Sequence, residues 1–126
     1  MPKIKKTLLA GIGAEMIRWE TLERFAEALA PAGFNPKAFL ACYGMAECTL
    51  GVSFSPLDSG HNTVLVDTDE LYENNRVVLL DAESSSEGRG RRFVGCGVPL
   101  PGYEVEIRNE DGDVLGDHES GIIHLR

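Results

Sequence analysis

Two side chains four positions apart, Tyr43 and Glu47, are the pair in this sequence best suited to hold a ligand. They sit in Tyr43-Gly44-Met45-Ala46-Glu47, after the apolar run Ala38-Phe39-Leu40-Ala41-Cys42 and the break Asn35-Pro36. The pattern predicts a loop, a buried strand over 38–42 and a sharp exit at Gly44. An aromatic face stacks on a flat ring, and a carboxylate offers oxygen to a hard divalent cation. A ring and an acid leaving one buried strand point to a nucleotide pocket, because open α/β sheets bind ligands outside the carboxyl ends of their strands.

The elements before this exit must position it. Residues 7–10 read as a short buried strand, followed by a tight turn, Gly11-Ile12-Gly13-Ala14-Glu15. Glycine there permits positive φ and close approach of main chain to a ligand. From Trp19 to Ala30 the apolar residues Leu22, Phe25, Ala26 and Leu29 recur at helical spacing, which predicts one buried face. Pro31 and Gly33 end the helix. Strand, helix and strand in this order make a crossover with two parallel strands. Both turns then leave the same edge of the sheet, so Gly13-Ala14-Glu15 and residues 43–47 face one cleft.

Past Glu47 the texture becomes antiparallel β. Residues 50–54 and 63–67 read as strands, separated by a turn at Ser59-Gly60-His61-Asn62. Residues 67–75 read as a short helical turn or loop, and 76–80 as strand-like. The Ser-, Gly- and charge-rich stretch 82–92 reads as flexible. Phe93 to Gly97 forms a strand running into glycine, and Pro99 to Gly102 a turn. Tyr103 to Arg108 alternates apolar and charged residues, Glu110-Asp111-Gly112 turns the chain as a hairpin would, and 121–126 forms another strand. The expected class is therefore α/β. A partial parallel βαβ unit (1–55) leads into an antiparallel, barrel-like portion (56–126) with a flexible insertion near 67–92. The chain begins almost on a strand and ends inside one, as a segment of something longer would. Strand edges left open in this way invite self-association.

Composition narrows the functions. At 126 residues, 43% hydrophobic and 25% charged, the chain has room for one ordinary core. A net charge of -8 argues against binding a phosphate backbone, so no nucleic acid is expected. Cys42, Cys48 and Cys96 are an odd number without metal-ligand spacing, which excludes a disulfide scaffold and a zinc site. Free thiols suit a reducing, cytoplasmic setting. No stretch approaches the ~20 apolar residues that span a bilayer. His61, His118 and His124 have no partners at catalytic spacing and read as surface or strand residues.

Gly13-Ala14-Glu15, then a helix, then Tyr43 to Glu47, then Val94-Gly95-Cys96-Gly97-Val98-Pro99-Leu100-Pro101-Gly102 is an ordered set. In this order it resembles the adenylate-forming superfamily of acyl-CoA synthetases, adenylation domains and luciferases, and more narrowly the fatty acyl-AMP ligases. The resemblance covers nearly the whole chain. It implies activation of a fatty acid, or another carboxylic acid, with ATP and Mg²⁺ as an acyl-adenylate. The acyl group then passes to the thiol of an acyl carrier protein or coenzyme A, in lipid and polyketide assembly. By the same resemblance, Tyr43 stacks on adenine, Gly44 and Met45 bring main chain to the nucleotide, and Glu47 holds Mg²⁺. Gly13, Ala14 and Glu15 line the adenine and acyl side. Ala46 stands where most of the superfamily carries a threonine that touches the α-phosphate; the fatty acyl-AMP ligases commonly carry alanine there. The family's phosphate loop, its ribose-binding aspartate and its catalytic lysine have no counterpart among these residues. The resemblance thus implies no catalytic residue in this chain, and no useful acyl-adenylate formation by it alone.

Plainer readings stand beside these. Tyr43 also reads as a core or interface tyrosine, Glu47 as a solvated acid capping the next turn, and Gly11 and Gly13 as tight-turn glycines; for Glu15 a surface acid at a helix entrance is the simpler account. As function classes, a split or decayed relative acting as a binding module is the alternative to a ligase. A dinucleotide-binding domain comes third, on the half-match of Gly11-Ile12-Gly13 after a strand.

Overall fold

The computed structural model describes residues 9–48, 50–81 and 88–126, which group into two compact units. The first takes the described residues up to Thr63 together with Phe93–Leu100; the second takes those of Val64–Arg92 with Pro101–Arg126. The units are thus interleaved along the chain, where the sequence predicts one cut between residues 55 and 56. Phe93–Leu100 crosses that cut because a strand within it adds to the first unit's sheet.

The first unit is built on β1 (Ala10–Ile12), α1 (Trp19–Leu29) and β2 (Phe39–Tyr43). β1 and β2 run parallel, with Ala10, Gly11 and Ile12 opposite Phe39, Leu40 and Ala41. This is the expected βαβ crossover. β1 lies further along the chain than residues 7–10, of which 7 and 8 fall outside the described residues. Gly11 and Ile12, expected in the turn, belong to the strand. Pairing with β2 sets its length there, since Gly11 has no side chain to signal it. β3 (Ser53–Phe54) is shorter than the expected 50–54 and joins β2 antiparallel. β6 (Val98–Pro99) closes the order β1-β2-β3-β6.

α1 covers this sheet with Leu22 and Ala26, which pack with Phe34, Ala38 and Phe39 in the core. Phe25, expected on the buried face, stays 47% exposed. Its ring still meets Phe34 edge-on at 5.3 Å and lies 5.9 Å from Phe39. His61 caps the cluster, its ring 5.9 Å from Phe39. The chain leaves α1 through a 3-10 turn, Ala30–Ala32, stopped by Gly33 at φ +91°. Asn35 then caps a second such turn, Pro36–Ala38, by accepting the Lys37 N–H at 3.1 Å.

The second unit holds most of β4 (Thr63–Asp67) and of β5 (Gly90–Val94), which pair with each other, and α2 (Thr68–Asn74) between them in sequence. The stretch near 67–92, expected to be flexible, thus carries a helix and most of a strand; residues 82–87 lie outside the described residues. Asp67 starts α2: its carboxylate, in a buried residue, accepts the N–H groups of Asp69 at 2.9 Å and Glu70 at 3.1 Å. Replacing such a cap by alanine costs about 1 kcal/mol. Asp67→Ala is therefore expected to lower the denaturant midpoint of this unit by a corresponding amount; an unchanged midpoint would dismiss the cap.

β7 (Val105–Arg108) and β8 (Ile122–Leu125) form an antiparallel pair, with Val105 opposite Leu125 and Ile107 opposite Ile123. One face is apolar, as the alternation of Tyr103 to Arg108 predicts. The other carries Arg108 bound to Glu106, and Arg126 bound to Glu106 at 2.7 Å and Glu104 at 3.5 Å. The hydrogen bond from Arg108, then the charges of Arg108 and Arg126, hold the Glu106 carboxyl below its ordinary range. A depressed folded-state value gives stability that is present above the ordinary glutamate range and lost as pH falls through the folded value. A carboxyl-detected titration is expected to show Glu106 ionising below the ordinary glutamate range; a midpoint within that range would contradict the network.

Candidate functional site

The site follows from one feature of the sheet. Since β1 and β2 are parallel and in register, their carboxyl ends emerge side by side. Cys42 ties them together: its thiol donates to the Ile12 carbonyl at 3.2 Å. Gly13 follows at once, so close that a Cβ there would lie 2.7 Å from the Cys42 Sγ and 2.9 Å from its carbonyl oxygen. Gly13-Ala14-Glu15 therefore leaves the sheet beside Tyr43, on one edge, as the crossover predicts. Gly13 is half-buried, while Ala14 and Glu15 are exposed. Ala14 has φ +70°, a conformation that non-glycine residues seldom adopt and that recurs at ligand sites.

Tyr43 closes β2 opposite Ser53, and its carbonyl accepts the Val52 N–H at 2.9 Å. Alternation along the strand puts its side chain on the face of Phe39 and Ala41. Those two are buried, whereas Tyr43, at the rim, is half-buried and lies outside the hydrophobic cluster. It is placed as a rim tyrosine rather than a core one.

The chain then folds tightly back. The Met45 carbonyl accepts the N–H groups of Cys48 and Leu50, each at 3.1 Å. Ala46–Cys48 forms a 3-10 turn that leaves Ala46 and Glu47 exposed, with Gly44 and Met45 half-buried beneath. Leu50, 74% exposed, has φ +83°. A Cβ on Gly44 would fall 1.5 Å from the Leu50 carbonyl oxygen. So Gly44 and Gly13 both answer to neighbours within the chain: their close approach is to protein backbone and sulfur. Sequence reasoning passed over Leu50 and the tie at Cys42. A backbone reversal written on a leucine has no signal in residue type, and Cys42 reads as a small buried hydrophobe, although it is half-buried.

Cys96 follows β5 and is half-buried too. Burial, then the nearby Cys42, raises its pKa, which keeps it a thiol at neutral pH. Gly11 lies within β1, so the glycine pattern of a dinucleotide-binding turn does not follow the strand as that motif requires.

The arrangement offers a flat aromatic side chain, main chain at two strand tips and one exposed carboxylate. Among the described residues no group of three or more His, Cys, Asp and Glu side chains is placed to hold a metal. A cation at Glu47 fits only if its other oxygens come from phosphates and water, the usual habit of Mg²⁺. Among the described residues, no helix is long and apolar enough to cross a membrane.

No family model matches the sequence. Known proteins do. A provisionally named acyl-CoA synthetase of Caulobacter vibrioides is 45% identical over 117 residues, which is 93% of this chain and 20% of that protein. A medium-chain-fatty-acid–[acyl-carrier-protein] ligase of Moorena producens is 38% identical over 79% of this chain and 17% of its own. Among solved structures, one from a study of fatty acyl-adenylate ligases of E. coli and L. pneumophila superposes with a TM-score of 0.86 at 41% identity, covering 94% of this chain and 21% of the other. A fatty acyl-adenylate ligase from L. pneumophila, solved with acyl adenylate and pyrophosphate, gives 0.83 at 32% identity over 94% of this chain and 20% of its own. The chain spans about a fifth of the length of the relatives it matches. Its crossover, its turn at Tyr43 to Glu47 and these likenesses agree: the chain belongs to the family of fatty acyl-AMP ligases and acyl-CoA synthetases.

Proposed function

We propose that these residues form one lip of the nucleotide cleft in an ATP-dependent ligase that activates a fatty acid as its acyl-adenylate. Acyl transfer to a carrier-protein thiol, or to coenzyme A, completes the reaction. The observation that carries this reading is the shared edge of β1 and β2, with Tyr43 at the rim and Glu47 exposed beyond it. A likeness to a ligase solved with acyl adenylate supports it. In this reading Tyr43 stacks on adenine, and the main chain of Gly44, Met45 and Ala46 borders the nucleotide. Gly13, Ala14 and Glu15 form the facing side. Glu47 would hold Mg²⁺, which supplies positive charge against the phosphates. In the intact enzyme the hairpin β7–β8 belongs to a barrel-like subdomain, and the setting is cytoplasmic.

The remaining donors that stabilise charge in adenylyl transfer lie outside this set of residues, so the chain by itself binds rather than catalyses. Base stacking on an aromatic ring contributes about 1–3 kcal/mol. Tyr43→Ala is therefore expected to weaken ATP binding about tenfold or more, followed by NMR shifts of the strand-tip amides. Glu47→Gln should remove the gain in affinity that Mg²⁺ gives, with metal-free binding unchanged. If both variants bind ATP and Mg²⁺ as the parent does, the site is elsewhere. Pyrophosphate release from ATP and a fatty acid by the chain alone would refute its partial character.

A further inference from the structure

We propose that Cys42 is a positioning residue of the nucleotide lip: through its thiol the well-held tip of β2 fixes the tip of β1, and nucleotide affinity depends on that hold. The inference rests on the nucleotide reading of Tyr43 and Glu47, and adds a residue whose side chain lies on the other face of β2 from Tyr43. The two tips are unequally held. On β2, the Ala41 carbonyl accepts the Ser55 N–H at 2.8 Å and the Tyr43 carbonyl accepts that of Val52. The Met45 carbonyl beyond them takes two more bonds. Alternation then turns the main-chain groups of Cys42 the other way, toward β1. The β1–β2 register ends at Ile12 opposite Ala41. The next bond of that ladder would run from the Ala14 N–H to the Cys42 carbonyl. Among the described residues it is not made, and Gly13, Ala14 and Glu15 enter no backbone hydrogen bond. Ala14 nevertheless keeps φ +70°, a conformation that persists only where neighbours enforce it.

The Cys42 side chain supplies what the ladder lacks. Its Sγ donates to the Ile12 carbonyl at 3.2 Å, on the last residue of β1. It also lies against Gly13, where a Cβ would come within 2.7 Å of it. One side chain thus bonds the end of the strand and backs the first residue of the turn. Alanine at 42 would lose the donor and leave Gly13 without that neighbour. Serine keeps a donor at a shorter reach, and valine fills the space but donates nothing. The consequence is local. Ile12 and Ile17, on either side of the turn, pack against the hydrophobic cluster. They hold the ends of the stretch, so losing the thiol bond loosens Gly13-Ala14-Glu15 without unfolding β1.

The test compares the 126-residue chain with Cys42→Ala and Cys42→Ser, which remove similar volume and differ in the donor. ATP titrations followed by NMR should show Cys42→Ala binding about three- to tenfold more weakly than the parent, the range of one net hydrogen bond. Cys42→Ser should stay within about twofold of the parent. In the free chain, backbone relaxation should show residues 13–15 more mobile in Cys42→Ala, with the parent's order restored in Cys42→Ser and residues 43–48 unchanged in both. A purely structural cysteine would give equal losses in the two variants. Parent-like affinity and order in Cys42→Ala overturn the proposal, and so does a Cys42→Ser chain that loses as much as Cys42→Ala. If Cys42→Ala fails to fold, Cys42→Val takes its place with the same expected loss, and parent-like binding by it overturns the proposal. A parent that does not bind ATP sinks the nucleotide reading instead; relaxation of residues 13–15 still decides whether the thiol holds the tip.

Discussion

Gly97→Ala is expected to destabilise the first unit by about 4 kcal/mol or more, among the largest effects of any single methyl in this chain. Two costs act together. The added Cβ would lie 1.8 Å from the Phe54 carbonyl oxygen, 2.1 Å from its carbon and 2.4 Å from the Ser55 nitrogen. All three are backbone atoms that cannot swing aside as a side-chain tip can. In addition, φ is +76°, where a Cβ costs roughly 1–2 kcal/mol on its own. Gly97 leads directly into β6, whose pairing with β3 holds the far side of the sheet. Moving Gly97 outward separates those strands, so the change propagates. Gly102 supplies the control: its φ is +94° with open space around it, so Gly102→Ala meets the conformational cost alone. Chemical denaturation with and without the substitutions measures the difference. Equal losses at the two positions would show that the crowding at Phe54 is not rigid.

Gly44→Ala is expected to cost about 3 kcal/mol or more and to disorganise the candidate nucleotide lip in particular. Its Cβ would meet the Leu50 carbonyl oxygen at 1.5 Å. Relief requires the reversal from Met45 to Leu50 to open. That reversal is held by two bonds to the Met45 carbonyl and by Val52 on Tyr43, and it already contains Leu50 at positive φ. The measurable signature is local: large amide shift changes over residues 43–52, with a lowered unfolding midpoint. Gly11→Ala provides the contrast, since a Cβ there meets nothing within 4 Å; it should leave stability within about 0.5 kcal/mol. Gly13→Ala falls between, because one of its two close neighbours, the Cys42 thiol, is a side chain able to shift.

These two glycines also alter what the residues around the site mean. In sequence, glycine beside a candidate ligand residue reads as room for the ligand. In the fold, Gly44 and Gly13 make room for Leu50 and Cys42. The nucleotide reading therefore rests on Tyr43 and Glu47, and on the edge they share with Gly13-Ala14-Glu15, rather than on glycine content.

The sequence by itself determined the helix Trp19–Leu29, the parallel crossover and hence the common edge, along with β4 and β8. Those follow from apolar periodicity and from the rule that a helix between two paired strands makes them parallel, both carried by local residue type. It also contained the ordered motifs that place the chain in its family. What only the tertiary structure decided depends on residues distant in sequence. β1 extends over Gly11 because β2 offers it partners. Residues 90–92 become strand through pairing with β4, and Phe93–Leu100 belongs with the first unit because β6 pairs with β3. Phe25 stays half out of the core, for helical spacing sets direction but not depth. Hydrogen bonding between strands and the closeness of backbone to backbone are set by the partner as much as by the residue, and no single stretch of sequence contains both.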